Sequence, residues 1–175
     1  DVRPSARSDA GLAYDPARKS LILYGGQNNQ MMGMYYQTVF GDTWEWSSTT
    51  RQWTQLSPTS SPDPLYGHGM VTDTTRSKIL LFAGMSDYSY YYPIGPVRSP
   101  GYKNPQRNEV WEWDGNTMTW ANRSPSVGTS APSPRQYPIL AYDEARQKLF
   151  VAENTAYYVA GGYSPYWEWD PISAG

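Results

Sequence analysis

Three carboxylates stand where side-chain chemistry could be done. Glu45, Glu112 and Glu168 each lie between two tryptophans, in Trp44-Glu45-Trp46, Trp111-Glu112-Trp113 and Trp167-Glu168-Trp169. An acid flanked by indoles has the ingredients of a sugar-stacking or acid–base site. The same placement three times over is instead what a repeated scaffold produces, so the acids and indoles are read as structural. One arginine accompanies each acid, namely Arg18, Arg76 and Arg146. The single histidine, His68, sits in Tyr66-Gly67-His68-Gly69-Met70 and is read as hydrogen-bonded to backbone rather than as a base. Asp87, Glu109 and Glu153 have no recognisable spacing. Cysteine is absent, which removes disulfides, thiolate metal sites and cysteine nucleophiles. With no phosphate loop, zinc pattern or nucleotide fingerprint either, no catalytic residue, metal or cofactor is expected.

A second set of residues points to binding. Tyrosine is concentrated in three stretches: Met31-Met32-Gly33-Met34-Tyr35-Tyr36; Tyr88-Ser89-Tyr90-Tyr91-Tyr92-Pro93, with Tyr102 further on; and Tyr157-Tyr158 followed by Gly161-Gly162-Tyr163-Ser164-Pro165-Tyr166. Rigid rings supply contact area and hydroxyls supply direction, as in adaptable recognition surfaces. Methionine adds a deformable apolar patch. The expected ligand is a protein or a glycan; contacts between chains, or packing of the loops on themselves, are the other uses of such tyrosines.

Composition narrows the classes. Charged residues make up 17% and the net charge is -2, so no basic field would gather nucleic acid. Aromatic residues reach 15%, with 16 Tyr and 8 Trp against 3 Phe, enough apolar surface for a folded chain. No apolar run has the roughly 18 residues that span a bilayer, and no N-terminal signal pattern is seen. The chain starts at Asp1 rather than Met and is read as a processed product or an excised piece, with a secreted or cell-surface setting expected. Asn122-Arg123-Ser124 fits an N-glycosylation sequon, and Arg98, Lys103 and Arg107 make the second insertion basic.

The elements that must position these residues are also repeated. Tyr14-Asp15, Thr72-Asp73 and Tyr142-Asp143 each precede a turn and an apolar run. Strands are expected at 9–14, 19–24, 43–46 and 52–56, with counterparts in the later units. Alternation along the third strand puts both tryptophans on one face and the glutamate on the other. Gly25-Gly26 closes the second strand, where positive φ is easiest for glycine; Ala83-Gly84 and Glu153-Asn154 take the same places. Variable insertions follow at 27–41, 85–108 and roughly 154–165. Proline-rich crossings, with Pro58, Pro62 and Pro64 and then Pro125, Pro132 and Pro134, separate the units. Boundaries fall at 1–58, 59–125 and 126–175.

The unit written Tyr14-Asp15, Arg18, Leu23-Tyr24-Gly25-Gly26, Asp42-Thr43-Trp44-Glu45-Trp46 and Trp53-Thr54-Gln55-Leu56-Ser57-Pro58 resembles the kelch repeat of β-propellers, in its bacterial form. The resemblance implies an all-β fold of four-stranded antiparallel blades, the third lacking its outer strand. It implies that packing between blades buries Trp44, Trp46, Trp111, Trp113, Trp167 and Trp169. Glu45, Glu112 and Glu168 then face a neighbouring blade and need partners, which either Arg18, Arg76 and Arg146 or backbone groups would supply as a latch in each blade. Insertions and crossings should share one face, the usual ligand face of such propellers. Galactose oxidase is built on kelch repeats, but its copper site needs a cysteine and two histidines, which are missing here. Membership of a propeller hydrolase or lyase whose catalytic residues lie partly in other blades, or of an extracellular structural assembly, are the alternatives to a noncatalytic binding module.

Three blades do not close a ring, because propellers have about four to eight. An aromatic edge near Trp167 would be left open to another chain. The expectation is either a homo-oligomer, such as a six-bladed ring from two copies in an isologous arrangement, or a part of a larger assembly with other chains completing the propeller.

Overall fold

The computed structural model describes residues 2–31, 35–86, 106–125, 132, 134–152 and 166–171. All regular structure among them is β. The strands are β1 Gly11–Asp15, β2 Ser20–Tyr24, β3 Gln27–Met31, β4 Tyr35–Val39, β5 Thr43–Ser47, β6 Gln52–Leu56, β7 Gly69–Asp73, β8 Lys78–Phe82, β9 Val110–Asp114, β10 Thr119–Asn122, β11 Ile139–Asp143, β12 Lys148–Ala152 and β13 Tyr166–Trp169. They build two four-stranded antiparallel sheets, β1-β2-β5-β6 and β7-β8-β9-β10, a three-stranded sheet β11-β12-β13, and a two-stranded ribbon β3-β4. This arrangement of consecutive antiparallel sheets is compatible with a propeller-like fold. No described helix is long and apolar enough to cross a membrane.

Two local expectations change. The first strand begins at Gly11 rather than residue 9, because Asp9 adopts a left-handed φ of 57° that an extended strand cannot continue. The insertion at 27–41, expected as a variable loop with no strand assigned to it, contains the β3–β4 ribbon, in which Gln27 pairs with Val39 and Met31 with Tyr35. The turns between strands follow one plan. Asp15 Oδ1 accepts from the Ala17 and Arg18 backbone N–H at 2.9 and 3.2 Å. Asp73 and Asp143 accept likewise from Arg76 and Arg146, both at 3.0 Å. The turn then closes on a left-handed residue, Lys19, Ser77 or Gln147.

Alternation gives each sheet two unlike faces. In the first sheet Ile22 pairs with Glu45 and Leu21 with Trp46, so one face carries the glutamate and the other the tryptophans. The glutamate face of the first sheet packs on the tryptophan face of the second, joining Ala13, Ile22 and Tyr24 to Ile79, Leu81, Trp113 and Trp120. The second sheet repeats the operation: Leu80, Phe82 and Val110 from its glutamate face meet Leu149, Val151 and Trp169 of the third. Trp44, Trp113 and Trp169 are buried, while Trp46, Trp111 and Trp167 are half-buried. Polar bonds register the first seam. Trp113 Nε1 donates to Asp15 Oδ2 at 2.8 Å and Trp120 Nε1 to Thr43 Oγ1 at 3.1 Å.

Candidate functional site: the insertion end of the sheets

All three insertions leave from the same end of their sheets, because the strand pairs that bracket them are equivalent: Tyr24 with Thr43, Phe82 with Val110, and Ala152 with Tyr166. The segments leading into β1, β7 and β11 lie at that end too, since Gly11 pairs with Tyr24 and Gly69 with Phe82. Backbone bonds tie these segments in series. Gly67 N–H donates to Asp9 C=O at 2.9 Å and Tyr137 N–H to Gly67 C=O at 2.6 Å. The insertion roots are bridged to the same segments, Ser8 with Gln27 and Tyr66 with Met85.

A salt-bridged aromatic cluster braces the first insertion. Arg7 Nη1 lies 2.5 Å from Asp42 Oδ1 and also donates to Gly25 C=O at 2.9 Å. Its guanidinium rests 4.0 Å from the centre of the Phe40 ring, within cation–π range. Trp44 Nε1 donates to Asp42 Oδ2 at 2.6 Å. Burial alone would raise the Asp42 carboxyl, but the bonds from Arg7 and Trp44 outweigh it and hold it below the usual carboxylate range. Glu109 repeats part of this arrangement, accepting from Trp111 Nε1 at 3.1 Å. An acid two positions before the first tryptophan was the available signal, in Asp42-Thr43-Trp44 and Glu109-Val110-Trp111, and sequence reasoning passed over it.

His68 is buried beneath this end. Its Nε2 accepts the Gly11 backbone N–H at 3.1 Å, and its ring meets Tyr24 edge-on at 5.7 Å. A Cβ at Gly11 would fall 2.6 Å from Nε2, and one at Gly84 would fall 2.9 Å from the His68 Cβ. Glycines therefore make the space the imidazole fills. Gly84 also needs its positive φ of 100°. Burial pushes the imidazole down to about 4, so the ring is neutral near pH 7. His68 is thus a buried, neutral acceptor of a backbone N–H.

Each glutamate of the repeated triplets meets the arginine of its own unit. Arg18 donates to Glu45 from Nε and Nη2, both at 2.8 Å, and Ser20 Oγ donates to the same carboxylate at 2.7 Å. Arg76 Nη1 reaches Glu112 Oε2 at 2.5 Å while its Nε holds Asp73 at 2.6 Å, and Arg123 adds a longer bond of 3.3 Å to Glu112. Arg146 pairs with Glu168. The Arg18 hydrogen bonds hold the Glu45 carboxyl below its ordinary range. The three pairs differ in burial: Glu112 is buried, whereas Glu168 is half-buried beside an exposed Arg146.

Of the tyrosines expected to bind, Tyr35 and Tyr36 lie on β4, opposite Met31 and Gln30. Tyr88, Tyr90, Tyr91, Tyr92, Tyr102, Tyr157, Tyr158 and Tyr163 lie outside the described residues, as do Asp87, Arg98, Lys103 and Glu153. Arg107, from the basic set, pairs with Asp63 at 3.3 Å and approaches Glu109 at 3.9 Å. Among the described residues no group of three or more His, Asp or Glu is placed to hold a metal ion.

No protein-family model matches the chain. Among solved structures, YjhT resembles it with a TM-score of 0.61 at 15% sequence identity, over 83% of this chain and 44% of YjhT. The chain thus spans less than half the length of that protein, and at this identity the likeness is one of fold: an all-β chain of antiparallel sheets, compatible with a propeller-like fold.

Proposed function

We propose that the chain is a segment of a kelch-type β-propeller and serves as a noncatalytic binding or assembly module, presenting its tyrosine-rich insertions to a protein or glycan partner. The observation that carries this reading is the common exit of the three insertions from one end of the sheets, rooted there by equivalent strand pairs. Loops projected together from a rigid β scaffold are where recognition residues concentrate. The β3–β4 ribbon adds a defined support for Tyr35 and Tyr36, and the Arg7–Asp42–Trp44 cluster stiffens its base. Buried and neutral, His68 belongs to the scaffold on this reading. A secreted or cell-surface setting suits the weakly charged, aromatic composition.

The test is binding to a glycan array and capture of proteins from the source organism, with the chain compared against a Tyr35→Ala, Tyr36→Ala, Tyr90→Ala, Tyr91→Ala variant. A specific ligand whose binding falls at least tenfold in the variant is the expected result. A ligand bound equally well by both proteins would refute the assignment of the surface.

A further inference from the structure

Asp9, Gly67 and Tyr137 are equivalent residues, each standing just ahead of the first strand of its sheet, β1, β7 or β11. All three are left-handed, with φ of 57°, 62° and 51°. Glycine takes that conformation freely; a Cβ makes it costly, above all in a residue as bulky as tyrosine. Lys19, Arg51, Ser77, Met118 and Gln147 take such values to close hairpins, but Asp9 and Tyr137 close none. Strain kept at two of three equivalent places, where the third has glycine, points to what the two side chains do.

Those side chains converge at the insertion end. Tyr137 N–H donates to Gly67 C=O at 2.6 Å, and a Cβ at Gly67 would fall 3.0 Å from Tyr137 Cε1, so the bare middle unit is what lets the ring lie across it. The tyrosine remains 37% exposed. Its phenol neighbours the Asp9 carboxylate; burial first, and that charge after it, hold the hydroxyl above the ordinary tyrosine range, so it keeps its proton. Asp9 Oδ2 accepts from Gln27 Nε2 at 2.6 Å and from Ser8 Oγ at 3.1 Å. Gln27 is buried and begins β3, so the root of the tyrosine-bearing ribbon aims this carboxylate. A carboxylate accepts about four hydrogen bonds. Ser8 and Gln27 are neutral, so Asp9 keeps both acceptor capacity and its charge.

We propose that Tyr137 and Asp9 form a subsite for a neutral hexopyranose ring of a glycan. The sugar lays its C–H face on the open side of the Tyr137 ring and donates hydroxyls to the Asp9 carboxylate. The proposal rests on the reading of the insertion end as a binding surface and narrows its partner to a glycan. The chemistry of the pair selects the class. An anionic ligand is repelled by the uncancelled charge of Asp9. An ammonium satisfies that charge but cannot accept from the protonated phenol, whereas a sugar hydroxyl both donates and accepts.

Saturation-transfer NMR on the full chain tests this, with the methyl glycosides of glucose, galactose and mannose as neutral probes at millimolar concentration, and methyl glucuronoside and butylamine as charged ones. At least one neutral glycoside should bind, and Asp9→Asn and Tyr137→Phe should each weaken it by about tenfold or more. Asparagine tolerates the left-handed φ and still accepts from Gln27, and phenylalanine keeps the ring on Gly67, so both variants should melt close to the unmodified chain. No neutral glycoside bound, or a charged probe bound in preference, would overturn the proposal. Variants that lose stability but bind as before would also overturn it, because the pair would then be only a tie between units. A glycan whose binding falls in the four-tyrosine variant but not in these two would refute the subsite and leave the wider surface standing. So would a captured protein partner with no glycoside bound.

Discussion

At the scale of the residue, the same Glu–Arg pair has three environments, and burial decides what each is worth. Glu112 is buried and holds both Arg76 and Arg123, so Glu112→Gln leaves two guanidiniums short of their counter-charge in a partly dry site. A loss of about 2–4 kcal/mol is expected there. Glu168→Gln removes a pair whose arginine is exposed and should change stability far less. Urea unfolding of the two variants checks the ranking, and equal effects would mean that the glutamates act through something other than their arginines. Neither the triplet nor the arginine count revealed this gradation. Sequence supplies the partners, while desolvation is set by how many layers lie over them.

At the scale of the element, the seams contrast two tryptophans at equivalent positions. Trp113 and Trp169 both stand third in their triplets and both are buried, but only Trp113 finds an acceptor, Asp15 Oδ2. At the second seam Asp73 is engaged by Arg76, and Trp169 Nε1 has no hydrogen-bond partner among the described residues. Replacement by phenylalanine removes the same volume at each site, so the packing losses are comparable. Trp113→Phe also takes the indole donor from Oδ2 of the buried Asp15, whose Oδ1 keeps its backbone donors, whereas Trp169→Phe removes an unsatisfied donor. Trp113→Phe should therefore be the more destabilising by about 1–3 kcal/mol, measured by thermal or urea melts.

At the scale of the whole molecule, His68 joins units rather than stabilising one. It stands in the segment leading into β7 and accepts from Gly11 at the start of β1, so its protonation acts on the first seam. In the unfolded chain the imidazole takes up a proton as pH falls through 6.5, while in the fold burial delays uptake to about 4. The unfolded state binds more protons throughout that window, so stability falls with pH between 6.5 and about 4 and levels off below. The loss from this group is on the order of 3 kcal/mol. A series of melts from pH 7.5 to 4 should show this slope and His68→Gln should flatten it, leaving the loss at lower pH that comes from carboxylates such as Glu45. A wild-type profile flat between pH 6.5 and 4.5 would contradict the neutral, buried imidazole.

By itself the sequence determined the all-β class and the strands of each sheet, because apolar alternation and turn chemistry are local. The tripled Trp-Glu-Trp marked the third strand, and the aspartate turns marked the first hairpin, to within two residues. It also determined that tryptophans and glutamates face opposite ways, since strand geometry permits nothing else. Only the tertiary structure decided which tryptophans are sealed, that Asp15 is the acceptor for Trp113, and that Arg7 reaches Asp42. These contacts join residues far apart in the chain or depend on the depth of an overlying sheet, and neither is written in local pattern. The β3–β4 ribbon escaped for a related reason: Gln27–Met31 shows no apolar alternation, and its pairing with Tyr35–Val39 is held by backbone bonds and by the Ser8–Gln27 bridge at its root.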